Sequence, residues 1–424
     1  MCYIIYMNKE EEGFMLGKIE SLLKRNVERM VDEDFIRESL MAGKSLHVKL
    51  GIDPTSPDIH IGRAVVLWKL RAFQDLGCYV TLIIGDFTGT IGDTSDKNSE
   101  RSMLDQDIVN ENAQTYEEQA LKILDKNKLT VRRNSEWLSK LSYSEVCGQA
   151  DLFSVNEFMK RDVIAKRYNE GGRISLREMI YPMMQGYDSV AIKCDVELGG
   201  TDQWFNLLAG RTMQKAYKQR EQSIVTMKLM PGLDGRKMSS SYGNGIFLTD
   251  TAENMYGKSM TINDEIIIQA MYAFTNMTEE DIENCNQKLK DGENPRNVKD
   301  ILAFEITKLY HGEEGGMAGR QAFKNITSGK PEKIEEYSLK DIFKKLSNAG
   351  PSPTLPTREG VILEKSLNII DALVALEFAT SKSNARALID QRGVKVNDEV
   401  ATLITEVKAG DVIQKGKLNY AKIV

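Results

Sequence analysis

The sequence predicts an α/β protein in which a doubly wound parallel-sheet domain is followed by an α-helical domain and then a small α+β domain. Three observations predict it. Leu46 to Arg71, LHVKLGIDPTSPDIHIGRAVVLWKLR, reads as strand, turn and helix, and a second apolar run, Tyr79–Ile84, follows at a short interval. Strand, helix and strand closely joined form the unit of a parallel sheet. From about Thr251 the spacing becomes helical, and a break at Ser347 to Gly360 holds three of the nine prolines.

In the opening unit, Leu46, Val48 and Leu50 alternate with His47 and Lys49 as in a half-buried strand, which stops at Gly51. The helix after it is expected to be capped by Ser56 or Asp58, with Pro57 at its first position, and Ala64, Val65, Leu67, Trp68 and Leu70 form its apolar face. His60 and Gly62 then fall in the first turn, where unpaired N–H groups and the positive end of the dipole favour a phosphate. Gly62 lets a flat ring approach the backbone and His60 offers a donor, although a lone histidine at a helix start also serves as a simple cap. Upstream, residues 16 to 42 read as one charged helix.

Ligands of such sheets sit beyond the carboxyl ends of the strands. Gly85 to Arg101, GDFTGTIGDTSDKNSER, would lie on that edge; it carries Asp93, Lys97 and Arg101 and contains neither GxGxxG nor GxxxxGK[ST]. It reads either as a polar surface loop or as a site where Asp93 meets an ammonium and the cations meet phosphates. Residues 103 to 180 are expected to be helix-rich, with Trp137 and Phe153 packing. Tyr181, Gln185 and Asp188 recur at i, i+4 and i+7 and so share one helical face. Polar groups at core spacing need partners, supplied by a ligand or by one another. Gly199 to Gln203 joins a strand to a helix near Trp204, with glycines for close approach and Asp202 as an acceptor suited to a ribose. Pro231 to Asn244, PGLDGRKMSSSYGN, places Lys237 in a Gly- and Ser-rich loop expected to move.

Bulk composition narrows the classes. The 424 residues are long enough for two or three domains, and 41% hydrophobic with 28% charged residues is ordinary for a globular chain. A net charge of −6 gives no global attraction to nucleic acid, so any such contact must be local. Five scattered cysteines without a CxxC pair indicate reduced thiols in a cytoplasmic protein and no tightly bound metal. The N-terminus lacks the pattern of a signal peptide, and no segment approaches a membrane span. From Leu367 onward eight basic side chains outnumber seven acidic ones; Lys382, Arg386, Arg392 and Lys395 gather around one helix whose start, at Ser381, would present N–H groups to phosphate. A solvated charged face is the other reading.

Taken together, His60-Ile61-Gly62-Arg63 and Lys237-Met238-Ser239-Ser240-Ser241 resemble the HIGH and KMSKS motifs of class I aminoacyl-tRNA synthetases. In this order the pieces resemble the bacterial tyrosyl-tRNA synthetases, in the subgroup with GxDPTxPDxHxG, over nearly the whole chain from Ile19. The resemblance implies a catalytic domain over 1–245 with a helical insertion at about 103–180, a helical anticodon-binding domain over 246–346, a linker over 347–362 and an S4-like RNA-binding domain over 363–424. It implies ATP with Mg²⁺ as a substrate complex, L-tyrosine and tRNA(Tyr) as partners, a homodimer across which the tRNA spans both subunits, and no membrane.

The same resemblance assigns Thr55, His60 and Lys237 to catalysis and Gly51, Asp53, Gly62, Lys97, Arg101, Gly200, Asp202 and Lys237 to ATP. Asp188 would accept from the phenol hydroxyl, Tyr181, Gln185 and Asp93 would hold the ammonium, and Gln203 would lie near the substrate. Lys382, Arg386, Arg392 and Lys395 would contact RNA. Arg63 and Ser240 depart from the second histidine of HIGH and the second lysine of KMSKS, and Lys49 stands where some relatives carry tyrosine. The competing readings are a tryptophanyl-tRNA synthetase and an RNA-binding protein that keeps the synthetase fold without activation.

Overall fold

The computed structural model describes residues 9–93, 103–240, 243–327, 334–347, 366–416 and 419–424. Two compact units divide the chain, one up to Arg320 and one from Gln321. Lys97 and Arg101, and residues 348–362 of the expected linker, lie outside the described residues.

The first unit is built on a six-stranded sheet of β1 (Val27–Val31), β2 (His47–Ile52), β3 (Tyr79–Ile84), β4 (Leu129–Arg133), β5 (Val196–Gly200) and β6 (Ser223–Met227), in spatial order β1-β6-β5-β2-β3-β4. All neighbours run parallel except β1 against β6. The central strands β2, β3 and β5 are mostly buried, their polar Lys49, Thr81 and Glu197 included, because helices cover both faces. From β2 the chain steps to β3 on one side, and β5 adds on the other. The switch point therefore falls between β2 and β5, where a crevice opens beyond their carboxyl ends.

Two strands escape a periodicity reading. Residues 16 to 42 are not one helix: Lys9–Lys24 is helical, Asn26 and Asp32 turn through positive φ of 56° and 62°, and β1 lies between them before a second helix at Glu33–Met41. The insertion expected to be helical contains β4, paired in register with β3 from Val80–Leu129 to Ile84–Arg133. Both are edge strands, half in water, so VERMV and LTVRR carry charges that mask the strand pattern.

The helix after β2 begins at Ile61, later than expected, because His60 rather than Ser56 or Asp58 is its cap. The Leu176–Ile192 helix opens with the reciprocal cap of Ser175 and Glu178, and the Trp204–Ala216 helix follows a short 3-10 turn at Thr201–Gln203. Helices at Ala252–Ser259, Ile267–Phe274, Glu279–Lys290 and Pro295–Thr327, the last broken at Gly312 where φ is 74°, complete the helical region, and Thr278 caps the third as its acidic start predicts. Met255, Met271, Leu302 and Ile306 join the same buried core as the sheet, so this region shares one interior with the α/β part.

In the second unit β7 (Glu335–Tyr337), β9 (Val394–Val396), β10 (Glu399–Val400), β12 (Val412–Lys415) and β13 (Asn419–Ile423) form one sheet, while β8 (Leu367–Asn368) pairs with β11 (Glu406–Val407). Asn397 and Asp398 supply the two positive-φ residues of the β9–β10 hairpin. The sequence groups residues 334–346 with the helical region, whereas β7 pairs with β13 and Leu339 and Ile342 pack into the second unit's core. The proline-rich break thus falls inside this unit.

Candidate active site

A cavity of about 430 Å³ occupies the crevice at the β2–β5 switch point. It is lined by Gly51, Asp53, Thr55, His60, Gly62, Asp93, Tyr181, Gln185, Asp188, Gly200, Asp202, Gln203 and Lys237, every described residue that the sequence assigns to catalysis, ATP or tyrosine.

At one end lies the start of the Ile61–Asp75 helix. The His60 Nδ1 accepts from the Arg63 N–H at 3.2 Å, and burial, with Arg63 and Lys237 nearby, pushes the imidazole down to about 3. The ring is therefore neutral at physiological pH, with its proton on Nε2, the nitrogen able to donate to an anion. His60 is the helix cap and also lines the cavity. A Cβ at residue 62 would stand 3.0 Å from His60 Nδ1 and 3.3 Å from Met238 Sδ, which explains the glycine. Met238 is buried in the core and the Asn244 side chain ties the Lys237 carbonyl to the Ser239 N–H, anchoring the loop around Lys237. Lys237 Nζ reaches Asp202 at 2.8 Å. Ser240 Oγ donates to the Asp58 carbonyl, and the Arg63 guanidinium donates to the Tyr116 hydroxyl at 2.6 Å.

The other end is a buried polar floor. Asp188, 3% exposed, accepts from Trp137 Nε1 at 2.7 Å and Asn134 Nδ2 at 3.4 Å. Burial pushes its carboxyl up to about 7 despite these donors and the nearby Lys49 ammonium. Trp137, read from sequence as packing, is thus a polar partner, brought there by β4. Lys49 is fully buried and pairs with Glu197 at 2.9 Å. Sequence reasoning missed Asn134, Trp137 and Glu197; a recognised β4 would have pointed to the first two.

Tyr181 has a partner within the fold. Its hydroxyl donates to Asp53 Oδ2 at 2.7 Å, while Thr88 Oγ1 donates to the other oxygen at 2.7 Å. Burial and the adjacent Asp53 and Asp93 carboxylates hold the phenol well above its ordinary range, so it stays a donor. Asp53, expected near the nucleotide, lines the cavity and is tied through this bond to the helix that carries Gln185 and Asp188. Asp93 accepts from Gln203 Nε2 at 2.7 Å, joining two residues expected near the amino acid. Among the described residues no group of three or more His, Cys, Asp or Glu side chains is placed to hold a metal ion.

A family model for class I tRNA synthetases of the tryptophan and tyrosine group matches residues 41–328. The chain belongs to that family. A model for the S4 domain matches residues 370–413. Tyrosine–tRNA ligase of Thermotoga maritima is 45% identical over 407 residues, which cover 95% of this chain and 96% of the relative. Tyrosine–tRNA ligase 2 of Clostridium acetobutylicum is 41% identical, with 95% and 97% covered. The crystal structure of a C-terminally truncated mitochondrial tyrosyl-tRNA synthetase of Aspergillus nidulans shares the fold, with a TM-score of 0.61 at 20% identity over 75% of this chain and 99% of that one. In this synthetase the motif residues are brought together from β2, the Leu176–Ile192 helix, the β5 turn and the Lys237 loop, which are remote in sequence. Lys382, Arg386, Arg392 and Lys395 are exposed, and Lys382 pairs with Asp371 at 2.7 Å.

Proposed function

We infer that the chain is a tyrosine–tRNA ligase, which activates L-tyrosine with ATP to tyrosyl-adenylate and pyrophosphate and then transfers the tyrosyl group to the 3′-terminal ribose of tRNA(Tyr). The observation that carries the reading is one cavity joining an anion-binding helix start at His60 to a buried acceptor at Asp188. The phenol hydroxyl of tyrosine would be the third donor to Asp188, whereas phenylalanine would leave that carboxylate without it. Gln185, Tyr181 and Asp93 line the path toward the ammonium, and Asp202 with Gly200 faces the ribose.

The tyrosine carboxylate attacks the α-phosphorus, and pyrophosphate leaves with the bond electrons. No covalent nucleophile is needed, so acceleration comes from positioning and from donors aimed at developing charge. Thr55 and the Nε2–H of neutral His60 serve the phosphate side; Lys237, released from Asp202, neutralises the leaving pyrophosphate. Lys97 and Arg101 are assigned to the same task from sequence, and Mg²⁺ enters with ATP. Gly51 and Gly62 leave room for the nucleotide.

Lys382, Arg386, Arg392 and Lys395 would meet tRNA phosphates, and the helical region before them would read the anticodon. A homodimer is supported by apolar side chains left exposed between residues 143 and 180, among them Tyr143, Val155 and Leu176. Four described free cysteines and the absence of any described helix able to cross a membrane accord with a cytoplasmic location. The test is ATP–pyrophosphate exchange without RNA, with tyrosine, tryptophan and phenylalanine in parallel. Exchange with tyrosine alone is expected. Exchange with tryptophan would move the chain to the sister activity, and none with any of the three would favour an RNA-binding protein that has lost activation.

A further inference from the structure

Beneath the cavity floor lies a charged pair that the reaction does not use. Lys49 on β2 stands in register with Glu197 on β5, and both side chains are shut off from water, at 0% and 1% exposure. Burying two opposite charges is seldom favourable for stability alone, since desolvation consumes most of their attraction. Their neighbours suggest a different use. Gln185 Nε2 donates to Glu197 Oε1 at 3.2 Å, and Lys49 Nζ donates to the backbone carbonyl of Gln185 at 3.4 Å. A carboxylate partner fixes the amide's NH₂ end toward the floor, so the amide oxygen is what Gln185 can offer a substrate ammonium. Ser189 and Gln222 complete the donors around Glu197.

We propose that Lys49 is a positioning and specificity-determining residue of the amino-acid subsite: paired with Glu197, it orients Gln185 and places a positive charge near Asp188, the acceptor for the substrate hydroxyl. The inference rests on the tyrosine-activating reading above. Among the described residues, the charged and titratable groups facing Asp188 are Lys49 from β2, Glu197 from β5 and Tyr181 from its own helix; the β4 side contributes neutral Trp137 and Asn134. Lys49 is the one cation in this set, and it opposes the burial that drives the carboxyl up. Burial pulls the ammonium itself down, but the Glu197 and Asp188 carboxyl groups hold it above its ordinary range, so it stays charged. An ionised Asp188 also sharpens selection, because an analogue without the hydroxyl strands a full charge rather than a neutral acid.

The test compares full-length Lys49→Met and Lys49→Met/Glu197→Gln with the unaltered enzyme in ATP–pyrophosphate exchange from pH 6.5 to 9.5. The double variant removes both buried charges and carries the test if the single one does not fold. Expected is a rise in KM for tyrosine of roughly tenfold for each unit by which the Asp188 pKa climbs, with KM for ATP unchanged and discrimination against phenylalanine weakened. Alkaline pH should restore the tyrosine KM, a recovery that a merely structural role does not give. A folded double variant with unaltered tyrosine KM, or with both KM values raised equally at every pH, would overturn the assignment of Lys49. Failure of the unaltered enzyme to exchange with tyrosine would overturn the functional reading itself, and this inference with it.

Discussion

Asp188→Asn should make the protein more stable and less active, with the stability gain growing with pH. The native carboxyl lies at about 7 against an ordinary 3.8, so the folded state binds this proton more tightly than the unfolded chain. A raised carboxyl contributes its full stability only below pH 3.8; that contribution declines as pH rises and is lost above 7. The accumulated penalty is about 2 kcal/mol at pH 5 and about 4 kcal/mol at pH 8, for a side chain fully removed from water. An isosteric amide abolishes it, less whatever is lost where its NH₂ meets the Trp137 and Asn134 donors, a loss that does not vary with pH. Asn should therefore gain roughly 2 to 3 kcal/mol more at pH 8 than at pH 5. Urea unfolding followed by tryptophan fluorescence measures this in the relevant unit, because Trp68, Trp137 and Trp204 all lie before Arg320. Activation of tyrosine should fall about ten- to hundredfold in kcat/KM, the value of one hydrogen bond to a charged acceptor. A stability difference independent of pH, or larger at pH 5, would refute the argument that Asp188 is held in the fold at an electrostatic cost.

Trp137→Phe keeps the ring but deletes the 2.7 Å donor to Asp188, so KM for tyrosine should rise several-fold at pH 7.5 and converge on the unaltered value by pH 9.5. His60→Ala should lower the exchange rate about a hundredfold or more as a lost anion donor, and should remove about 1 kcal/mol of stability as a lost cap, measured by exchange kinetics and by unfolding. With its imidazole at about 3, His60 should contribute no inflection between pH 5 and 8 in the unaltered enzyme's rate profile. Lys237→Ala should reduce kcat while leaving tyrosine affinity, read by equilibrium dialysis, unchanged. Arg386→Ala should leave exchange intact but weaken tRNA charging, with the salt dependence of tRNA binding reduced by about one phosphate contact.

The sequence by itself determined the local chemistry. The alternation before Gly51 and the apolar face from Ala64 to Leu70 dictate a strand, turn and helix, although the strand runs through Gly51 to Ile52, and with Tyr79–Ile84 they dictate a parallel sheet. Spacing alone set Tyr181, Gln185 and Asp188 on one face, because the helical period is fixed by backbone geometry. Helix starts at Thr278 and Ser381 were legible for the same reason: a side chain bonding two or three residues away is a local event.

Tertiary structure decided what those residues touch. The edge strands β1 and β4 escaped notice because half of each faces water and their patterns carry charge. With β4 unseen, nothing in the chain could show that Trp137 and Asn134 meet Asp188 from about 50 positions away. Nor could local pattern pair Tyr181 with Asp53, or Lys49 with Glu197, since cross-strand and helix-to-turn partners depend on strand order. Protonation follows the same division. A histidine or an aspartate has its ordinary affinity for protons in any extended chain, and only burial beside particular neighbours makes His60 a neutral donor and moves Asp188 toward neutrality.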